Sequence, residues 1–451
     1  MNVFNNILEA IGNTPIVKIN KMLPDSQANV YAKLEYLNPG GSIKDRIAKH
    51  IINKAEQDSR LQAEGTIVEN TSGNTGAGLA MVAAVKNYKA VFTIPDKMSS
   101  EKINFMKAFG AKVVVTPTNV PAESPQSYYE TAKRIHQNTD NSFYVNQYHN
   151  PDNPEAHYKY TGPELWEQMD GKIDYFVAGI GTGGTLSGVA KFLKEKNPEI
   201  KVIAVDPIGS VFYDYFKHGK PGEPNVYKLE GIGEDMMVDA MDFNVVDDIY
   251  QVSDEDGFAT CRSLARQEGI FGGGSSGAAV WGALQVAKNL PADKNIVTIL
   301  PDTGFRYLSK VYNDEWMRDN GLIKNDNTSI LGELIEKNPK KLTTTNSQAL
   351  IKDVINTMKR ENISQMPVID DKKIIGLISE SAILDYMLSS GSSSANTIAQ
   401  LIQTHFTAVD YNVPVFKVLE ILKAGENAVL VMKDDKLIDI LTKIDLIDYL
   451  S

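Results

Sequence analysis

The chain has almost no cysteine. Cys261 is the only one in 451 residues. A single thiol makes no intrachain disulfide and no cysteine-rich metal site, which suits a reducing compartment. An excess of basic charge is also missing. A formal net charge of −11 argues against nucleic acid or an anionic membrane surface as the main partner. No apolar run approaches the length of a membrane span. The start, Met1 to Glu9, has no basic segment followed by an apolar one, so no secretory signal is expected. These absences predict a soluble cytoplasmic protein without a metal centre. What is present is enough for a sizeable core, with 42% hydrophobic residues, and the length allows two or three domains.

Up to about residue 325, short β-rich runs alternate with helical patterns. The runs are Val30–Leu34, Thr66–Glu69, Ala90–Ile94, Lys112–Val115, Tyr175–Ala178, Lys201–Val205 and Asn295–Leu300. Helical patterns such as Ala77–Lys86, Ser100–Phe109 and Leu186–Lys196 lie between them. This alternation predicts an α/β fold with parallel sheets covered on both faces. Ligands in such folds bind where strands give way to helices.

Four of the loops carry chemistry. Asn38-Pro-Gly-Gly-Ser-Ile-Lys-Asp-Arg46 places Lys44 in the first turn of a helix. The helix dipole there disfavours the ammonium, and a neutral lysine can form a Schiff base or act as a base. Thr71-Ser-Gly-Asn-Thr-Gly76 offers amides and hydroxyls for a carboxylate or phosphate. Gly179-Ile-Gly-Thr-Gly-Gly-Thr185 fits Gly-x-Gly-x-x-Gly, and Asp206 follows at dinucleotide spacing; any phosphorylated cofactor would satisfy the same glycines. Gly272-Gly-Gly-Ser-Ser-Gly277 contains a nucleophile-elbow pattern at Ser275. The only histidine downstream is His405, in a different domain, so Ser275 reads as a ligand's hydroxyl partner or as an N-cap.

Together and in order, these loops resemble the fold-type II pyridoxal-phosphate enzymes. Within them the resemblance is to the cystathionine β-synthase family, with the cysteine synthases as near relatives. The matching stretches also include Ile11-Gly-Asn-Thr-Pro15, Asp96–Lys102, Asn146–Asn150, Glu230–Gly233 and Pro301-Asp302. The resemblance implies a two-subdomain core with Lys44 as the Schiff-base lysine. Asn74 would bond the ring hydroxyl, and Gly181, Thr182, Gly183, Gly184 and Thr185 would bind the cofactor phosphate. Ser275 would face the pyridine nitrogen. Thr71, Ser72, Gly73 and Thr75 would hold the substrate carboxylate, with Gln147 and Tyr148 beside them. A hydroxyl at the ring nitrogen makes a weaker electron sink than a carboxylate and favours rapid β-elimination. The implied reaction joins L-serine and L-homocysteine into L-cystathionine and water, with hydrogen sulfide production from cysteine as a side activity. Heme-containing relatives use an N-terminal cysteine and histidine. No cysteine precedes Cys261, so no heme is expected. Glu234 follows Gly231-Ile-Gly233 at the expected mouth of the site. It could recognise the amino group of homocysteine or be a solvated loop carboxylate.

After Trp316 the rhythm changes. Lys324–Ser329 reads as the polar part of a linker spanning 326–338, after a catalytic domain of 1–325. An internal repeat follows. Val368–Ser379 aligns with Val431–Thr442 at an offset of 63, and Asp353–Met358 with Lys417–Leu422 at 64. Two β-α-β-β-α units, about 339–390 and 399–451, would pack together as a tandem CBS module over 339–451. By resemblance, Thr442 and Asp445 could bind S-adenosylmethionine or another adenosyl ligand. The first repeat has Ser379 but Ala382 in the aspartate position. Assembly without a ligand is the other reading. A homodimer or higher homo-oligomer is implied by the family alone. Cysteine synthase, using O-acetylserine and sulfide, is the alternative within the class. From another class, a catalytically silent adenosyl sensor would also fit the repeat, although intact Lys44, Asn74 and Ser275 argue against it.

Overall fold

The β-rich runs of the first 323 residues fold as strands and the patterns between them as helices. In the computed structural model the chain forms two compact units, Met1–Ile323 and Lys324–Ser451. The structure describes residues 3–23, 28–121, 123–323, 330–337, 340–389 and 393–450. The polar linker stretch Lys324–Ser329 lies outside them.

The first unit holds two sheets. Its strands are β1 (Ile16–Ile19), β2 (Asn29–Leu34), β3 (Thr66–Asn70), β4 (Lys89–Pro95), β5 (Lys112–Thr116), β6 (Ser142–Tyr144), β7 (Tyr175–Gly179), β8 (Lys201–Pro207), β9 (Asp248–Val252) and β10 (Asn295–Leu300). One sheet runs β1-β2-β10-β7-β8-β9, and the other β5-β4-β3-β6. Every pairing is parallel except β1 with β2, so the expectation of parallel sheets needs one antiparallel edge strand added. The chain starts in the larger sheet, builds the smaller one, and returns. Every residue of β3 is buried, as a central strand covered on both faces requires.

Helices begin earlier than hydrophobic periodicity suggested. The observed spans are Asn74–Lys86, Gly184–Lys196 and Gly274–Ala287. Their first turns are the glycine- and hydroxyl-rich loops themselves. Apolar periodicity cannot see a turn whose side chains are small.

In the second unit the repeat offset holds residue by residue. The hairpins β11 (Gln365–Asp370) with β12 (Lys373–Ser379), and β14 (Ala428–Lys433) with β15 (Lys436–Thr442), are 63 residues apart. Their register shifts, at Val368/Ile369 and Val431/Met432, keep that spacing. So do the positive-φ turns at Asp371-Lys372 and Asp434-Asp435. Two consecutive left-handed residues close a two-residue hairpin of the right twist. The second repeat opens with β13 (Thr407–Asp410), paired parallel to β14. Among the described residues the first repeat has no matching strand, only a parallel bridge from Thr345 to Val368. Residues 331–337, expected as linker, form the helix Leu331–Lys337. Leu331 and Leu334 are buried in the core of the second repeat beside Tyr411 and Val415.

Candidate active site

In the larger sheet β2, β10 and β7 are neighbours, so the loops after their carboxyl ends meet. The loop after β2 carries Lys44, the loop after β10 carries Pro301-Asp302, and the loop after β7 carries Gly181 to Thr185. They are stitched by backbone bonds. Ile43 N–H donates to Pro301 O at 2.8 Å, and Thr303 N–H to Gly41 O at 3.2 Å. Gly233 N–H reaches Ile180 O at 2.6 Å and brings in the Gly231–Glu234 loop. Lys44, Gly181, Thr182, Gly183, Thr185 and Gly231 line one cavity.

Lys44 is the first residue of the helix Lys44–Gln57. Among the described residues its amine has no side-chain hydrogen-bond partner. Burial pushes its pKa down to about 8 against the opposing pull of the Asp302 and Glu234 carboxylates. The helix dipole expected from sequence is therefore not the main cause. At pH 7 a larger share of this amine is neutral than of an exposed lysine. The rate at which the apoprotein takes up pyridoxal phosphate should rise about tenfold per pH unit below about 8 and level off above it. Stopped-flow absorbance measures this. A rate that keeps climbing past pH 9 would mean that burial does not set the nucleophile.

The phosphate cradle is built from backbone. Gly183 has φ +78°, and a Cβ on Gly181 would lie 2.8 Å from Gly231 O. A Cβ on Gly184 would lie 2.1 Å from Asn153 Oδ1, so this glycine faces protein and contributes its amide alone. Among the described residues the amides of Gly181 to Thr185 find no acceptor. They open a 13-residue helix, and unsatisfied amides at a helix N-terminus suit a phosphate dianion. Thr182 and Thr185 add hydroxyls, each held from behind. Asn153 Nδ2 donates to Thr182 Oγ1 at 3.0 Å, and His157 Nε2 lies 3.1 Å from Thr185 Oγ1. His157 is fully buried, and burial pushes its pKa well below the usual range, so it is neutral. These residues fit pyridoxal phosphate.

Ser275 is buried, its hydroxyl makes no side-chain hydrogen bond, and a Cβ on Gly231 would lie 3.9 Å from it. Asn74 Nδ2 donates to Asp302 Oδ2 at 2.8 Å, and its Oδ1 accepts from Arg306. Thr71 turns inward: its Oγ1 accepts the Gly73 and Gly76 amides at 3.0 and 3.2 Å. Thr75 Oγ1 donates to Gln147 Oε1 at 2.6 Å. Among the described residues the amides of Ser72, Asn74 and Thr75 find no acceptor. Gly73 has φ +137°, and a Cβ there would meet Lys102 Cδ at 2.7 Å. Tyr148 is buried with its hydroxyl 3.5 Å from that of Tyr128. Glu234 sits close enough to Lys44 for each to shift the other. Burial, Asp235 and Asp206 push its carboxyl up to about 8, against Lys44 and Lys97. A carboxyl so placed gains from an incoming cation. Asp206 accepts the Tyr213 amide at 3.0 Å and is fully buried, a structural role rather than a ribose contact.

Sequence reading missed His157, Arg306 and the buried ion-pair cluster beneath Lys44. Arg46 Nε and Nη2 bond Glu35 at 2.7 Å each, Arg46 Nη1 bonds Glu164 at 2.8 Å, and Lys33 bonds Glu164 at 2.6 Å. No local pattern marks these pairs, which join residues up to 131 positions apart. Among the described residues no group of three His, Cys, Asp or Glu side chains could hold a metal, and no helix is long and apolar enough to cross a membrane.

A partly buried lysine shares its cavity with a row of unsatisfied amides at a helix start. Residues 7–302 match the family described as pyridoxal-phosphate dependent enzyme, and residues 332–389 and 398–451 match the CBS domain. The chain belongs to the pyridoxal-phosphate-dependent enzymes. Among its relatives, the cystathionine β-synthase of Dictyostelium discoideum is 36% identical over 99% of this chain and 92% of its own length. That of Apis mellifera is 46% identical over 71% of this chain, which spans 64% of the length of the bee protein. The crystal structure of the O-acetylserine-dependent cystathionine β-synthase of Helicobacter pylori matches with a TM-score of 0.64 and 38% identity. It covers 69% of this chain and 100% of that one.

Proposed function

We propose that the chain is a β-replacement enzyme that condenses L-serine with L-homocysteine to L-cystathionine and water. The observation that carries this reading is one cavity shared by the partly neutral Lys44 and the unsatisfied amides of Gly181 to Thr185. Pyridoxal phosphate, when bound there, supplies the electron sink that acidifies the substrate Cα–H and loosens the β-substituent. The Lys44 amine takes the Cα proton and delivers it to the departing hydroxyl, which leaves as water. The homocysteine sulfur bonds Cβ as the Lys44 amine takes its thiol proton, and Lys44 then gives that proton to Cα. The free amides of Ser72, Asn74 and Thr75 hold the substrate carboxylate, with Gln147 fixed by Thr75 beside them. Glu234 receives the ammonium of the second amino acid and ionises as it does so.

A second reading, with O-acetylserine in place of serine, is supported by the Helicobacter pylori relative, an O-acetylserine-dependent cystathionine β-synthase, and a cysteine synthase would pair O-acetylserine with sulfide. Steady-state kcat/KM for serine plus homocysteine against O-acetylserine plus sulfide separates the two. A higher value for the first pair is expected; a strong preference for the second would make this a cysteine synthase. Glu234→Gln should raise KM for homocysteine roughly tenfold, the loss of one charged hydrogen bond, and leave KM for sulfide unchanged. Equal effects on both thiols would remove ammonium recognition from Glu234.

The second unit reads as a regulatory module, with 1–325 catalytic and 339–451 regulatory. Thr442 Oγ1 and N–H both donate to Asp445 Oδ2 at 2.7 Å, and Lys340 pairs with the other oxygen. An adenosyl ligand such as S-adenosylmethionine would take the Asp445 carboxylate from Lys340. A homodimer is the assembly we infer from the family.

A further inference from the structure

Arg306 lies in the short turn Gly304–Tyr307 after β10, with Cζ 5.4 Å from the centre of the Phe105 ring. Its guanidinium is divided between two loops. Nη1 donates to Asn74 Oδ1 and Nη2 to the carbonyl oxygen of Gly40. Gly40 belongs to the turn that leads into Lys44, and Asn74 begins the helix after β3 in the other sheet. The first of these loops leaves room for this side chain. A Cβ on Gly41, at φ +77°, would lie 3.4 Å from Arg306 Nη2. Gly40 is also held from its other end, since its amide donates to Asp45 Oδ2 at 2.6 Å.

The pairing fixes which way the Asn74 amide points. A guanidinium has only donors, so the Asn74 atom that faces it is the oxygen. On the other side Asp302 Oδ2 accepts from Asn74 Nδ2 at 2.8 Å and from the Tyr307 hydroxyl at 2.6 Å. With the oxygen spent on Arg306 and one N–H on Asp302, the second N–H of Asn74 has no partner. Towards anything bound beside Lys44, this side chain is a donor.

We propose that Arg306 is a positioning residue that holds Asn74 as a hydrogen-bond donor to the ring oxygen of bound pyridoxal phosphate, and so favours the form in which that oxygen is an anion. The inference rests on the cofactor reading above and adds a residue to it. A hydrogen bond to the charged form lowers the pKa of the group that carries the charge. Without Arg306 only the Asp302 contact is left to hold the amide, so its orientation is less firmly set and a larger share presents its own oxygen, which repels an anion.

The test is spectroscopic and uses the full chain loaded with pyridoxal phosphate. The ratio of the visible band, which belongs to the anionic ring oxygen, to the near-ultraviolet band is followed against pH. Arg306→Gln should lower this ratio about threefold to tenfold, the worth of one net hydrogen bond, and move its pH midpoint up. Arg306→Lys keeps one donor and should fall between it and wild type; it also serves if the glutamine variant does not fold. A purely structural role would change the melting temperature and cofactor affinity but not the midpoint. In an Asn74→Ala background the Arg306 substitutions should have no further effect on the ratio. Unchanged ratio and midpoint in both variants would overturn the inference, as would the same shift in the Asn74→Ala background. A wild-type protein that takes up no pyridoxal phosphate would overturn the functional reading and this inference together; a yellow wild type with silent variants would overturn this inference alone.

Discussion

Lys44→Ala should lower kcat/KM for serine and homocysteine at least about 10³-fold, because the variant loses both its base and its proton donor. The yellow colour that depends on an amine link to pyridoxal phosphate should be lost with it. Stability should not fall. Lys44 is partly buried and its amine has no side-chain hydrogen-bond partner among the described residues, so alanine removes a desolvated charge without breaking a hydrogen bond. An unchanged or slightly raised melting temperature, beside a lost visible band, is therefore the expected pair of results. Lys44→Arg is the informative control. A guanidinium keeps its proton and should be as inactive as alanine. Activity within tenfold of wild type in either variant would remove Lys44 from the chemistry.

Arg46→Ala should have the largest effect on stability, about 3–5 kcal/mol, because it strips the countercharge from a carboxylate that cannot reach water. Glu35 is fully buried and burial alone would raise its pKa. The Arg46 guanidinium, with Lys33 and the Thr14 hydroxyl beside it, outweighs that and holds Glu35 below the usual carboxylate range. Without it, Glu35 keeps Lys33, 3.9 Å away, the Thr14 hydroxyl at 2.6 Å and the Asn38 amide, whose Nδ2 donates to Oε2 at 2.8 Å. Arg46→Lys should lie between, since a lysine cannot reproduce the two parallel bonds to Glu35. Guanidinium unfolding followed by tryptophan fluorescence measures this selectively, because Trp166, Trp281 and Trp316 all lie in the first unit. A loss of under about 1 kcal/mol would mean that Glu35 is protonated in the variant and that the pair stabilises little. Arg46 is two residues from Lys44 on the same helix. A destabilised Arg46 variant should lose stability and cofactor affinity in parallel, while Lys44→Ala loses activity and the visible band without losing stability.

Much of the site was legible because its signals are local. A run such as Gly179–Thr185 announces itself, since only small residues leave amides bare at the start of a helix. The strand-helix alternation fixed the α/β class and put those runs at the carboxyl ends of strands. The 63-residue offset carried down to the turn residues, because a hairpin's register is set within a dozen positions. The sequence misjudged where helices begin, since glycine and serine turns carry no apolar period. It also treated 331–337 as linker, although Leu331 and Leu334 are anchored in a core built largely from residues after 408.

The sequence by itself determined which groups could do chemistry: a lysine behind a Pro-Gly-Gly turn, two amide-rich helix starts and a hydroxyl at Ser275. Tertiary structure decided their state. The Lys44 pKa near 8 comes from burial against two carboxylates, Asp302 and Glu234, which are 258 and 190 residues away along the chain. The Asn74 amide is oriented by Arg306, 232 residues on, and the Thr185 hydroxyl is backed by a histidine from another helical turn. Desolvation and the facing of donor to acceptor depend on what the whole fold places around a group. No local stretch of sequence holds that information.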